Sequence, residues 1–163
     1  MQGLYRGKPL DKYYGEWVYG DLVRLHDGRR YIINNIHGAC IDEKGNFINT
    51  GYPFVCEVDP ATVGQNTGLL DKNGKEIYGG DTLRLNNNDL DLVKVCFGEF
   101  PVYDINTEEV TDMAVGWYRK VIKTDALSEC EPFCYDMPLN ESWIELLQIE
   151  VVNPELPGVK HAD

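Results

Sequence analysis

Serine is scarce in this 163-residue chain, which has only Ser128 and Ser142. Neither lies in the Gly-x-Ser-x-Gly turn that exposes a hydrolase nucleophile, so that chemistry has no seat here. Long apolar runs are missing as well. No stretch approaches the roughly 20 apolar residues that a membrane-crossing helix needs, and the first residues, Met1 to Lys8, lack the apolar core of an export signal. A soluble cytoplasmic protein with no membrane partner is therefore expected. Basic residues are in deficit: 15 Lys and Arg stand against 27 Asp and Glu, for a formal net charge of -12. A chain of that sign repels a phosphate backbone, so direct nucleic-acid binding is not expected. Cysteine is odd in number, at positions 40, 56, 96, 130 and 134. Five thiols with irregular spacing read as free cysteines in a reducing compartment rather than a disulfide framework.

What is present is glycine, turn dipeptides and short β-forming stretches. The turn signals are Asp27-Gly28, Lys44-Gly45-Asn46, Asn73-Gly74 and Asn86-Asn87-Asn88-Asp89. Asn and Gly tolerate the positive φ that tight hairpins require. Between them lie Trp17-Val18-Tyr19, Tyr31-Ile32-Ile33, Phe54-Val55-Cys56, Leu83-Arg84-Leu85, residues 92–97 and residues 114–118. These predict a mainly β, β-rich α+β fold. Helical spacing is confined to a short turn at Pro60–Val63 and to Asn140–Gln148. In the second, Trp143, Ile144 and Leu147 share a face and Asn140 can cap. Residues 149–152 read as a strand, and 157–163 as a flexible tail. Residues 12–25 also echo residues 72–85 at a constant offset of 60, with six of fourteen positions identical. A true repeat would place a strand, a Gly-Asp turn and a second strand in each of two lobes.

Candidate chemistry is thin. Asp71-Lys72-Asn73-Gly74 starts like a calcium loop, but position six is Glu76 and position twelve is Thr82, where such a loop needs Gly and Glu. A hairpin turn explains it better. Cys130 and Cys134 form one close pair, where structural zinc usually takes two, and His26, His37 and His161 are scattered. His37 with Cys40 lacks any sign of a lowered thiol pKa. No Gly-Lys-Ser/Thr phosphate loop follows Gly79-Gly80-Asp81-Thr82. Neither a cofactor nor a metal is expected. Ten tyrosines and three tryptophans suit half-buried positions and interfaces. The group Tyr5, Tyr13, Tyr14, Trp17 and Tyr19 could form a binding face or pack one sheet on its neighbour.

The run from Val58 to Asp81 contains Pro60-Ala61-Thr62-Val63-Gly64-Gln65-Asn66-Thr67-Gly68-Leu69 and then Asp71-Lys72-Asn73-Gly74-Lys75-Glu76-Ile77-Tyr78-Gly79-Gly80-Asp81. It resembles the hallmark of the YopX family, with flanking support from Tyr5 to Lys8, Trp17 to Gly20, Val95 to Phe100 and Gly116 to Tyr118. The likeness extends over about residues 4 to 156. Two departures are Gly79, where the family more often has an acid, and a last strand without the family's Gly-Asn-Ile step, which leaves its register open. The resemblance implies a protein of phage or prophage origin with two subdomains, the C-terminal one barrel-like. It implies no activity, cofactor or catalytic residue.

The expected boundaries are an N-terminal β-rich subdomain at 1–70, a barrel-like one at 71–156 and the tail at 157–163. Read physically, the hallmark is a connector rigidified by Pro60, by the hydroxyls of Thr62 and Thr67, and by the amide of Gln65. It would equally suit a loop presenting those side chains to a ligand. The candidate binding residues are Trp17, Tyr19, Thr62, Gln65, Thr67, Asp71, Asn73, Glu76 and Asp81. Three functions are carried forward. The first is a non-enzymatic module that binds a protein partner or forms a homo-oligomer. The second is an acidic DNA mimic built on Asp89, Asp91, Glu108, Glu109, Asp112, Glu129 and Glu131. The third is a metal-dependent hydrolase.

Overall fold

The computed structural model describes residues 4–34, 39–41, 47–49, 54–104, 106–107, 109–124 and 135–153. Among them are thirteen strands, one α-helix and two 3-10 turns, so the chain is mainly β. The turn at 44–46, Cys130, Cys134, His37, His161 and the 157–163 tail lie outside the described residues. The chain divides into two compact units, Met1–Asn66 and Thr67–Asp163.

Unit 1 holds β1 (Tyr5–Gly7), β2 (Val18–Arg24), β3 (Arg30–Asn34), β4 (Ala39–Ile41), β5 (Phe47–Asn49), β6 (Phe54–Val58) and the start of β7 (Gly64–Leu70). Its main sheet runs β6-β3-β2-β1-β7, and β4 pairs with β5 alone. All pairs are antiparallel. Val18, Ile32, Cys56 and Val58 are buried together, with Tyr5, Leu22, Phe54 and Val63 packed on them. These come from the alternating apolar positions of their strands, as a sheet with one buried face requires. The Asp27-Gly28 turn joins β2 to β3, with Gly28 at φ 95°. Asp59 caps the 3-10 turn Pro60–Thr62 through the Ala61 amide.

Unit 2 continues from β7 through β8 (Glu76–Tyr78), β9 (Thr82–Leu85), β10 (Asn88–Tyr103), β11 (Val110–Lys123), β12 (Met137–Pro138), α1 (Glu141–Leu146) and β13 (Glu150–Val151). The end of β7 pairs β8, and the five-stranded sheet runs β12-β11-β10-β9-β13. Among the described residues this sheet is open, with β12 and β13 at its edges. Among the described residues the expected barrel-like subdomain at 71–156 is no closed barrel: β12 and β13, two residues each, do not pair with one another. Asn86 (φ 49°) and Asn87 (φ 57°) make the two-residue turn between β9 and β10. Positive φ at both central positions is what such a hairpin demands, and asparagine tolerates it. The last strand settles in the register Glu150 opposite Arg84 and Val151 opposite Leu83.

The core of unit 2 gathers Ile77, Leu83, Leu85, Val93, Val95, Leu139, Ile144, Leu147 and Ile149. Asn140 caps α1 by accepting the Trp143 amide at 3.0 Å. Ile144 and Leu147 are buried and Trp143 packs beside them, the face that the sequence spacing predicts.

The 60-residue echo does not describe two like hairpins. In residues 72–85 the chain turns at Gly80 (φ 86°) between β8 and β9. In residues 12–25 it passes straight through Gly20-Asp21 inside β2. Gly20 allows β3 to approach so closely that an added Cβ would lie 2.2 Å from the Ile33 carbonyl oxygen. The shared glycines serve a close crossing in one place and a turn in the other.

Candidate functional site

The hallmark acids are consumed by the fold. Asp71 is buried at the mouth of the Asn73-Gly74 turn. Its Oδ1 accepts the amides of Asn73 (2.8 Å) and Lys75 (2.9 Å), and its Oδ2 accepts that of Val151 (3.0 Å). Asp81 has no exposed surface. Its Oδ2 accepts the Tyr78 amide at 2.9 Å and its Oδ1 the Asn153 side-chain amide at 2.7 Å. Asn153 in turn accepts the Thr82 amide at 2.9 Å. Two carboxylates ten residues apart thus clasp residues 149–153 onto β9. A carboxylate saturated by amide donors is held as an acceptor and has little left for a ligand.

Around the clasp lies an ion-pair network. Arg84 donates to Glu150 through Nε (2.8 Å) and Nη2 (2.6 Å), and to Asp89 through Nη1 (2.6 Å). Lys72 stands 3.4 Å from Glu150 and donates to the Asn87 side chain, while the Asn73 amide donates to Glu150 at 3.3 Å. The Arg84 hydrogen bond, followed by that of Asn73, holds the Glu150 carboxyl below the ordinary glutamate range.

The other candidates are placed as follows. Trp17 is covered by Arg6, whose guanidinium carbon is 4.2 Å from the ring centre, and by the Lys8 ammonium at 5.3 Å. Tyr19 stands opposite Arg6 in the β1–β2 pair. The Thr62 hydroxyl accepts the Lys8 amide at 2.8 Å and donates to the Asp59 carbonyl at 2.7 Å. Trp17, Tyr19 and Thr62 are therefore neighbours through β1. Gln65 is exposed on β7 opposite Tyr5. Of the other aromatics in that group, Tyr5 packs on the core, whereas Tyr13 is 89% exposed. In unit 2 the Thr67 hydroxyl donates to the Ile77 carbonyl at 2.8 Å, and Glu76 accepts the Tyr78 hydroxyl at 2.9 Å.

Of the acids considered as phosphate mimics, Asp89 pairs with Arg84. Asp91 is buried and accepts from Asn88 and Thr124. Glu108, Glu129 and Glu131 lie outside the described residues. Among the described residues there is no group of three or more His, Cys, Asp and Glu placed to hold a metal ion, and no helix long and apolar enough to cross a membrane. A cleft of about 430 Å³ opens beside α1, lined by Leu70, Asp71, Lys72, Glu141, Ile144 and Glu145 among others. Its central acid is already saturated.

Sequence reasoning missed the feature that is least explained by folding. β10 and β11 form a long antiparallel ribbon whose register sets Phe97 opposite Trp117, Glu99 opposite Val115 and Pro101 opposite Met113. Side chains alternate between faces of a strand, so these lie on the face that Val93 and Val95 turn to the core. Core packing ends at Trp117, but the apolar stripe does not. Phe97 is 65% exposed, Val115 73% and Met113 48%. The reverse face is closed differently. Gly98 and Gly116 face each other, and Phe100 stacks on Tyr118 at 5.4 Å. What marks it in the structure is the length of β10, 16 residues, about three times that of a usual strand.

The fold and site thus define a two-unit, mainly β protein with a tightly clasped C-terminal strand. The chain belongs to the YopX protein family, whose model matches residues 4–151. No curated protein matches it.

Proposed function

We propose that this chain is a non-enzymatic protein-binding module, and that it binds through the apolar face of the distal β10–β11 ribbon. The observation that carries this reading is the continuation of the core-facing stripe into solvent at Phe97, Val115 and Met113. Apolar side chains in contact on one sheet face gain about 1.5–3 kcal/mol each when buried. A two-stranded ribbon is itself marginal in water unless something covers it. Hallmark residues Asp71 and Asp81 support the fold beneath and leave recognition to this face.

The test is differential affinity capture with the full chain as bait, wild type beside Met113→Ser/Val115→Ser. Both residues are exposed, and far-ultraviolet circular dichroism checks that the variant keeps the fold. A specific partner or second copy retained by the wild type and lost by the variant is expected. Identical recovery by both baits would overturn the reading.

A further inference from the structure

We infer that the ribbon's partner is a basic protein segment, added as an extended strand along the apolar stripe, and not a second copy of this chain. The inference rests on the binding role proposed for the same face, and adds the chemistry of its occupant. Charge supplies the argument. From residue 95 to residue 118 the sequence holds five acidic residues and no Lys, Arg or His. Glu99 stands within the stripe, opposite Val115. Asp104 and Glu109 stand at the tip, and Asp112, opposite Val102, lies on the reverse face. The Asp104 carboxyl accepts the amides of Asn106 (2.7 Å) and Thr107 (3.1 Å), and these bonds hold it below the usual aspartate range. Asp104 therefore keeps its negative charge under mildly acidic conditions.

A second copy would bring the same segment to the interface, again with five acidic residues and no Lys, Arg or His to pair with them. Like charges set together at an interface select against that pairing, whereas a cationic rim is steered toward it. The backbone is available too. Among the described residues β9 pairs β10 only up to Lys94, and β12 pairs β11 only at Tyr118 and Arg119. Among the described residues no strand pairs the outer edges of β10 and β11 from Gly98 to Pro101 and from Met113 to Gly116, and such an edge is a template for strand addition. A strand with apolar side chains on one face and Lys or Arg on the other would extend the stripe with its first face and meet Asp112 with its second.

The test titrates the full chain with two synthetic peptides of one apolar pattern, Lys-Val-Lys-Phe-Lys-Val-Lys and Glu-Val-Glu-Phe-Glu-Val-Glu, read by backbone amide chemical shifts. The cationic peptide should shift residues 97–101 and 113–117 and the anionic one should not. Its binding should weaken about tenfold between low and high salt, about fivefold in Glu99→Gln/Asp112→Asn, and more than tenfold in Met113→Ser/Val115→Ser. Cationic binding that survives Met113→Ser/Val115→Ser unchanged is unspecific attraction and overturns the inference. Equal binding of both peptides, or dimerisation through Val115 without peptide binding, also overturns it while leaving the face a docking surface. No binding, no dimer and no capture difference overturns both readings.

Discussion

Replacing Asp81 offers a sharp quantitative test of the clasp. The side chain is fully buried and accepts hydrogen bonds from the Tyr78 amide at 2.9 Å and the Asn153 side-chain amide at 2.7 Å. In Asp81→Asn one oxygen becomes an NH2 group and faces a donor. One buried donor is then orphaned, a cost of about 1–3 kcal/mol. In Asp81→Ala both donors lose their acceptor, and the cost rises to about 2–6 kcal/mol by the same reckoning. Urea unfolding monitored by tryptophan emission and far-ultraviolet circular dichroism would rank wild type above Asn above Ala. Amide exchange would localise the damage, with faster exchange at Tyr78, Thr82 and Val152, whose N–H groups lie in or next to the clasp. An Ala variant within about 0.5 kcal/mol of wild type, the ordinary scatter of surface substitutions, would refute the account of Asp81 as the anchor of the C-terminal strand.

Other perturbations separate the remaining parts of the fold. Asn140→Ala removes the cap of a six-residue helix and should cost about 0.5–2 kcal/mol, measured by thermal unfolding. Gly20→Ala forces a methyl to 2.2 Å from the Ile33 carbonyl oxygen and should disrupt the β2–β3 pairing, seen as lost amide protection at Asp21 and Ile33. Glu150 has a lowered folded-state pKa, so its contribution is present above the unfolded glutamate value and is lost as pH falls through the folded one. The stability gap between wild type and Glu150→Gln should therefore narrow on acidification below about pH 4.5; a gap that is flat from pH 6 to 3 would contradict the assignment. Burial pushes Arg119 down to about 10, which leaves it charged at neutral pH, 5.2 Å from the Trp143 ring. Arg119→Lys should lose about 1–2 kcal/mol of that desolvated cation–π contact, and equal stability would argue that the ring contact is idle.

The local grammar of the fold was legible because it depends on neighbours in sequence. Asn140 and the Trp143, Ile144, Leu147 face announced α1, and Asn86-Asn87 and Asn73-Gly74 announced their turns. The family hallmark was legible as a string, but the role of its acids was not. Asp71 and Asp81 find Val151 and Asn153 more than 70 residues away, and such pairings have no sequence period. The echo misled because Gly20 and Gly80 share a letter but meet different backbone demands. That the five-stranded sheet does not close among the described residues rests on two edge strands of two residues each, too short to be read from a sequence pattern. The exposed stripe is hidden for a similar reason. Phe97 and Val115 read as core alternation like Val93 and Val95, and only the point where packing ends separates them.

The central claim is that the distal ribbon face touches another protein. A photo-cross-linking amino acid placed at Val115, and in a second chain at the 89% exposed Tyr13, tests it in cells of the protein's native source. The account predicts one discrete adduct from position 115, heavier than the chain by the mass of a basic partner, and none from position 13. No adduct at 115, or the same adducts from both positions, would contradict it.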